Sequence, residues 1–333
     1  ISCNSGTSGI YLALTAIDLK KGDNVIIPAI NFVAAANISI LKGANVYFAD
    51  VNEKTFQTGK KEILECIKRN KLKKIKVIFT MHLGGSPFHQ EEVYGLKKKY
   101  NTYLIEDACH AFGAKYPNTN KFVGSCVYSD ISIFSLHPVK TITSGEGGLV
   151  CVKEKKLYNK ILPFRSHGIV NRKNFTYDVY QSSLNFRLSD INCALAFSQI
   201  NKLKKIILKR KKIALRYQKN LKIVKKHVKI LNIDKINHSA WHLLILKFNF
   251  KNTNLDLNQI HKKLKKAYII TQQHYNPTYK FKFYKKQKNF IKVLENADIY
   301  NLSCLSFPIY FSLTLKNVDY ICQKIINLFD NQD

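Results

Sequence analysis

The first two-thirds of the chain alternates helix-like segments with short apolar segments, and this alternation restricts the possible folds more than any other feature. Strand-like segments lie at residues 24–28, 46–49, 76–80 and 102–106, and the residues between them have helical composition. Their apolar residues run consecutively, which is typical of strands covered on both faces. The pattern therefore predicts an α/β fold with a mostly parallel central sheet and helices on both faces. In such sheets, ligands bind at the carboxyl ends of the strands.

A second pattern begins after residue 188. From Asp190 to about Val228 the chain is helical in composition and rich in lysine, either as one straight helix or with a bend, and residues such as Ile191 and Leu195 suit a connecting helix with one buried side. Shorter mixed segments follow. We predict a large α/β domain over residues 1–188, and a connecting helix with a smaller α+β domain over residues 189–333.

The net charge is +32, from 54 Lys and Arg residues against 22 Asp and Glu residues. Nucleic acid, an anionic membrane or a phosphorylated ligand would suit such a charge. The charge is nearly all lysine, however, and no zinc-finger, RNP-type or basic-zipper pattern accompanies it. We interpret it as a lysine-rich surface that reflects biased codon usage, and we expect no nucleic-acid and no membrane partner.

The cysteines and the apolar runs indicate the compartment. Eight cysteines are scattered without a C-x-x-C pair, which suggests reduced thiols and neither a disulfide framework nor a metal site. We find no apolar run long enough to span a membrane and no secretory signal pattern. We therefore expect a cytoplasmic protein without a metal site.

Lys140 stands in the segment FSLHPVKTITSGEGG, directly after a strand-like run that ends at Ser135. The small, hydroxylated and glycine residues that follow Lys140 let backbone and ligand come close. A lysine held in such a turn can form a Schiff base with a carbonyl cofactor. One more solvated surface lysine is the alternative in so basic a chain.

Three other segments carry polar residues suited to the same site. Residues 4–9, NSGTSG, open a helix, where N–H groups and hydroxyls suit a phosphate, although Ser and Thr are also ordinary N-caps. Asp107, in EDACHAFG, follows a strand and needs a partner such as a protonated pyridine nitrogen, or else caps a helix. Asn185 precedes the long helix, which it could simply cap. One strand fits between Asp107 and Lys140, which places both at one edge of the sheet.

Taken in order, these segments resemble the DegT/DnrJ family of sugar-nucleotide aminotransferases, which are pyridoxal 5'-phosphate (PLP) enzymes of fold type I. The resemblance rests on S-G-T-S, E-D-A-x-H-A-x-G, F-S-x-H-P-x-K-x-I-T-x-x-E-G-G, F-R-S-H-G and N-F-R-L-x-D-I-x-x-A-L, and it covers essentially the whole chain. Within the family, H-P-V-K-T-I-T with F-R-S-H-G is most similar to the enzyme of pseudaminic-acid synthesis. That enzyme aminates a UDP-linked 4-keto-6-deoxy sugar. Family members usually carry a further N-terminal segment, so we expect that one is missing here.

The resemblance implies a role for each motif residue. Lys140 would hold the cofactor and shuttle a proton during catalysis, while Asp107 would pair with the pyridine nitrogen. Phe32 would stack on the ring, and His110 would lie near its 3' oxygen. The phosphate ligands would be Thr7, Ser8 and Ser135, with Asn185 reaching the phosphate of the neighbouring subunit. The implied substrate contacts are Glu146, His167, His274 and Tyr275, with a packed core histidine as the alternative for His274.

The resemblance also implies partners and a reaction. The expected assembly is a homodimer with shared active sites, and the expected substrates are a nucleotide-linked keto-sugar and, as amino donor, glutamate. Sugar dehydratases of the same family carry histidine in place of the lysine, so Lys140 favours amino transfer. Two alternatives stay open: a different keto-sugar, such as the precursor of perosamine or legionaminic acid, and a non-catalytic basic protein that binds nucleic acid or membrane.

Overall fold

A computed structural model of the chain describes residues 1–173, 175–233, 237–251 and 253–329. The last residues of the predicted second domain, 330–333, lie outside the described residues, and the predicted boundary after residue 188 stays a prediction.

The main element is a seven-stranded sheet in the order β1-β7-β6-β5-β4-β2-β3. The neighbouring strands β3, β2, β4, β5 and β6 are parallel to one another. Only β7 runs antiparallel to its neighbours β1 and β6. The predicted mostly parallel sheet is therefore confirmed, while β7 is a strand that the sequence analysis did not identify. The strands are β1 (Ser2–Cys3), β2 (Asn24–Pro28), β3 (Asn45–Ala49), β4 (Val77–Met81), β5 (Tyr103–Asp107), β6 (Ile131–Ser135) and β7 (Gly148–Val152).

Helices cover both faces of this sheet. Adjacent residues of β2 point into different apolar clusters, because side chains alternate along a strand. Val25 belongs to the cluster that contains α1, α2 and α5, and Ile26 belongs to the cluster that contains α3 and α4. The helices are α1 (Gly6–Ala16), α2 (Ala34–Leu41), α3 (Lys60–Arg69), α4 (Gln90–Tyr100) and α5 (Lys155–Arg165).

The remaining chain builds a hairpin and a smaller antiparallel sheet. The hairpin pairs β8 with β9, and the small sheet has the order β10-β11-β12. A separate apolar cluster joins this sheet to α7, α8 and α11. The strands are β8 (Ile169–Lys173), β9 (Thr176–Val179), β10 (Val228–Ile230), β11 (Leu244–Phe248) and β12 (Cys304–Phe307). The helices are α6 (Asp190–Ile200), α7 (Leu203–Asn220), α8 (Leu257–Lys266), α9 (Lys282–Lys285), α10 (Glu295–Ser303) and α11 (Leu315–Ile326).

The predicted connecting helix is divided into two helices, α6 and α7, and α7 ends before β10 begins. The prediction of one buried side is wrong for α6 in the single chain, where only Ala196 is buried. Ile191 is 84% exposed and Leu195 is 42% exposed. None of the described helices combines the length and the apolar character of a membrane span.

Candidate active site

A cavity of about 690 Å³ opens where three neighbouring parallel strands end. Met81, Asp107 and Ser135 are the last residues of β4, β5 and β6, and all three line the cavity. Its volume lies within the range of pockets that hold a cofactor or a small substrate, roughly 300–1,000 Å³. The site therefore lies at the sheet edge that the sequence predicts.

Ten of the twelve residues that the sequence analysis selects line this cavity. The other two lie outside it. Asn185 is exposed, and its carbonyl oxygen accepts a hydrogen bond from Nδ2 of the lining residue Asn4, at 3.4 Å. His167 lines a separate surface depression with Arg165 and Arg187. The ten lining residues are Thr7, Ser8, Phe32, Asp107, His110, Ser135, Lys140, Glu146, His274 and Tyr275.

The N-terminus of α1 forms one wall. Ser5 caps the helix by accepting a hydrogen bond from the Ser8 backbone N–H at 3.0 Å. Gly6 brings the helix close to β6, because a Cβ there would lie 3.1 Å from Ser135 Cβ. The first N–H groups of a helix lack intrahelical acceptors, and the helix dipole favours an anion at this end. This wall is suited to a phosphate.

Asp107 and Lys140 supply charges of opposite sign. The Asp107 side chain is 4% exposed, and Oδ1 accepts a hydrogen bond from the Cys109 backbone N–H at 3.2 Å. Lys140 is half-buried, and its Nζ makes no hydrogen bond or ion pair with any described residue. A carboxylate this buried needs a cationic partner. The arrangement leaves both groups available to a ligand.

His110 lines the cavity beside Tyr275, and a second buried histidine, His242, packs against His110. His110 Nε2 lies 2.9 Å from Tyr275 Oη, and the rings of His110 and His242 are 4.4 Å apart. Burial, together with the nearby Lys140 cation, holds the pKa of both histidines well below the ordinary range. Burial also raises the pKa of Tyr275. These three side chains are therefore neutral at neutral pH.

We expect the apoprotein to lose stability in mild acid. Because the pKa values of His110 and His242 are lowered in the folded state, the unfolded chain binds protons that the folded chain does not. The loss begins as the pH falls through the ordinary histidine value of 6.5 and continues towards the lower folded values. Each histidine contributes about 1.4 kcal/mol per pH unit.

Urea unfolding at about pH 7.5 and about pH 5.5 measures this loss. The variant His242→Gln should take up about one proton fewer on unfolding, so its stability should depend less steeply on pH. An equally steep dependence in this variant would contradict the contribution assigned to His242.

The sequence analysis missed several lining residues. Cys109 and His137 lie within the motifs that it quotes, so their proximity to Asp107 and Lys140 was a usable signal. His137 Nε2 lies 3.7 Å from Glu146 Oε1 at the cavity. Met81 and the adjoining His242 had no local signal, because sheet register and packing against a distant loop bring them here.

The site fits PLP. A phosphate suits the N-terminus of α1, a protonated ring nitrogen suits the Asp107 carboxylate, and none of the described residues pairs with the Lys140 amine. Phe32, 51% exposed, supplies an aromatic face.

Comparisons with known proteins agree with this chemistry. Residues 1–326 match the DegT/DnrJ/EryC1/StrS aminotransferase family. The chain is 35% identical over 331 residues to a UDP-4-amino-4,6-dideoxy-N-acetyl-beta-L-altrosamine transaminase of Campylobacter jejuni subsp. jejuni serotype O:23/36, which covers 98% of the chain and 84% of the relative. It is 30% identical over 330 residues to GDP-perosamine synthase of Escherichia coli O157:H7, with 99% and 85% covered.

Solved structures share the fold. Helicobacter pylori PseC, an aminotransferase involved in the biosynthesis of pseudoaminic acid, superposes with a TM-score of 0.90 at 28% identity, over 99% of this chain and 86% of that chain. The PLP form of Spr1654 from Streptococcus pneumoniae gives a TM-score of 0.88 at 23% identity, over 98% and 86%. The predicted fold, enzyme class and cofactor are therefore confirmed. The chain belongs to the DegT/DnrJ/EryC1/StrS family of PLP-dependent aminotransferases.

Proposed function

We propose that this enzyme transfers an amino group from glutamate to the 4-keto carbon of a nucleotide-linked 6-deoxy sugar. The proposed substrate is a UDP-4-keto-6-deoxy-N-acetylhexosamine, and the proposed pathway is pseudaminic-acid biosynthesis in the cytoplasm. The observation that carries the proposal is one cavity shared by the Lys140 amine, the Asp107 carboxylate and the N-terminus of α1. The names of the Campylobacter and Helicobacter relatives support the choice of sugar.

The polar groups of the cavity have different tasks in this reaction. When bound, PLP withdraws electrons from the carbon that loses or gains the amino group. Lys140 would hold the cofactor through Nζ and would then carry the proton to and from the substrate carbon. The Asp107 carboxylate would accept a hydrogen bond from the ring nitrogen and keep it protonated. Thr7, Ser8 and Ser135, with the N–H groups of α1, bind the phosphate.

Neutral side chains position the ring. Phe32 would pack on one face of the cofactor, and its own ring centroid lies 5.7 Å from that of Tyr275. His110, whose orientation is fixed by Tyr275 Oη, would lie near the 3' oxygen. His274 Nδ1 lies 3.0 Å from Ser306 Oγ, which holds that ring at the cavity. We assign the substrate contacts to His274, Tyr275 and Glu146.

We also propose a homodimer with shared active sites. The apolar side chains that α6 exposes would be covered by a second copy of the chain. Asn185 lies shortly before α6 in the chain. His167 lies next to the same segment, because its backbone N–H donates to Leu184 O at 3.0 Å. Both side chains would then serve the neighbouring subunit's site.

The dimer gives a direct prediction. Changing Ile191, which is 84% exposed, to aspartate should leave the subunit folded but weaken self-association. A charge buried at the centre of an interface is expected to raise the dimer dissociation constant about a hundredfold. Sedimentation equilibrium measures this constant. The matched control is Leu302→Asp on α10, where Leu302 is 67% exposed. Equal dissociation constants for both variants would contradict the use of α6.

A panel of nucleotide keto-sugars tests the substrate. Purified enzyme with PLP and glutamate is incubated separately with UDP-, GDP- and dTDP-linked 4-keto-6-deoxy sugars, and the amino sugar and 2-oxoglutarate are measured by mass spectrometry. We expect the highest kcat/KM with the UDP-linked N-acetyl sugar. A preference for the GDP-linked sugar would instead support the second candidate, a perosamine-type reaction, which the Escherichia coli relative suggests.

A further inference from the structure

Glu106, which precedes Asp107 on β5, is buried on the opposite face of the sheet. Side chains alternate along a strand, and the register places Glu106 between Thr80 of β4 and Ser132 of β6. The next row, with Met81 and Asp107, faces the cavity. The carboxylate of Glu106 therefore lies directly behind the site, with 0% of the residue exposed.

Four neighbours hold the Glu106 carboxylate. Tyr116 Oη donates to it at 2.7 Å, Ser129 Oγ donates at 2.9 Å, and Ser132 Oγ donates a further hydrogen bond. His82 Nε2 lies 3.5 Å from Oε1. Burial alone would raise the pKa of Glu106, but the hydrogen bonds and the nearby His82 outweigh it and hold the pKa below the ordinary value. The group is therefore an anion at neutral pH.

Burying an anion costs free energy of desolvation, whereas an apolar side chain would fill the same space behind the sheet without this cost. A second buried carboxylate, Asp130, immediately precedes β6 and has a different setting. It accepts hydrogen bonds from Lys97 Nζ at 2.5 Å and from the Leu104 backbone N–H at 2.9 Å, at the amino ends of the strands. Of these two carboxylates, only Glu106 lies at the end that carries the cofactor site.

His82 connects Glu106 to Asp107. It follows the last residue of β4 and is itself 0% exposed. Its side chain faces Glu106, and its backbone N–H donates to the Asp107 carbonyl oxygen at 3.3 Å. Movement of His82 would therefore be transmitted to both carboxylate residues.

We propose that Glu106 and His82 are positioning residues that act through Asp107. They fix the end of β5 so that the Asp107 carboxylate stays in the cavity. The negative charge of Glu106 also adds to that of Asp107 and favours the protonated form of the bound cofactor. This inference rests on the role assigned above to Asp107 and adds to it.

Glu106→Gln tests the inference, because it keeps the shape and removes the charge. Compared with the wild type, we expect the PLP dissociation constant to rise about tenfold, similar to the smaller losses of metal affinity when a residue that supports a metal ligand is removed. The visible absorbance of the lysine-bound cofactor changes with pH, and the midpoint of this change should move to lower pH by about half a unit. This shift is smaller than the shift caused by losing a charge in direct contact with the cofactor. The matched control, Asp130→Asn, should lower stability to urea but leave the PLP dissociation constant and the midpoint unchanged.

Wild-type PLP affinity and midpoint in Glu106→Gln, or equal changes in Asp130→Asn, would show that Glu106 serves only the fold. If Glu106→Gln does not fold, Tyr116→Phe decides in its place: smaller changes in the same direction support the inference, and none overturns it. Asp107→Asn tests the role of Asp107 separately from that of Glu106. Wild-type PLP binding together with a wild-type kcat in that variant would overturn the proposed role of Asp107 itself.

Discussion

Replacing Lys140 by alanine is expected to lower the rate of amino transfer by roughly 10⁴-fold and to remove the visible absorbance of the lysine-bound cofactor. No other lysine lines the described cavity, so no second amine can take over. The phosphate wall at the N-terminus of α1 stays intact in this variant, and PLP should therefore still bind without a covalent link. Absorbance spectra and single-turnover rates with the UDP-linked sugar measure both effects.

Two further lysine variants make the result specific. Lys140→Arg keeps the positive charge but cannot form the bond to the cofactor, so it should be as inactive as the alanine variant. Lys121→Ala, at an exposed position outside the cavity, should behave as the wild type. Wild-type absorbance and rate in Lys140→Ala would disprove the assignment of the lysine.

Asp107→Asn is the second large effect that we expect. The substitution keeps the shape of a side chain that is 4% exposed but removes the charge that pairs with the ring nitrogen. Breaking one partner of a buried ion pair costs about 3–5 kcal/mol. If this loss falls on the transition state, kcat/KM decreases roughly 10²- to 10⁴-fold.

The measurement should separate binding from catalysis. PLP titration gives the dissociation constant, and kcat at saturating PLP gives the part of the effect that belongs to the reaction. Asp130→Asn serves as the control for loss of a buried carboxylate, because Asp130 immediately precedes β6 of the same sheet. A kcat at saturating PLP that matches the wild type would limit Asp107 to cofactor binding and contradict its role in keeping the ring protonated.

Local sequence accounted for most of the large sheet. The apolar runs of β2 and β4 lie close to their predicted positions, because strands that are buried on both faces leave a clear pattern. The helices α3 and α4 occupy stretches that were predicted to be helical. The antiparallel strand β7 was missed, since its residues continue the glycine-rich segment that follows Lys140. The apolar side of α6 was predicted to be buried but is exposed in the single chain. An apolar helical stripe shows that a partner surface is needed, but not whether it lies in the same chain.

The sequence by itself determined the chemistry: a lysine, a carboxylate and a helix N-terminus, each next to the end of a predicted element. These signals are local, because each motif carries its own strand end or helix start. Only the tertiary structure brought them into one cavity and placed His242 and the His82–Glu106 pair against it. The register between β4, β5 and β6 decides which residue faces the cavity and which lies behind it. That register depends on the packing of distant segments, and no local pattern encodes it.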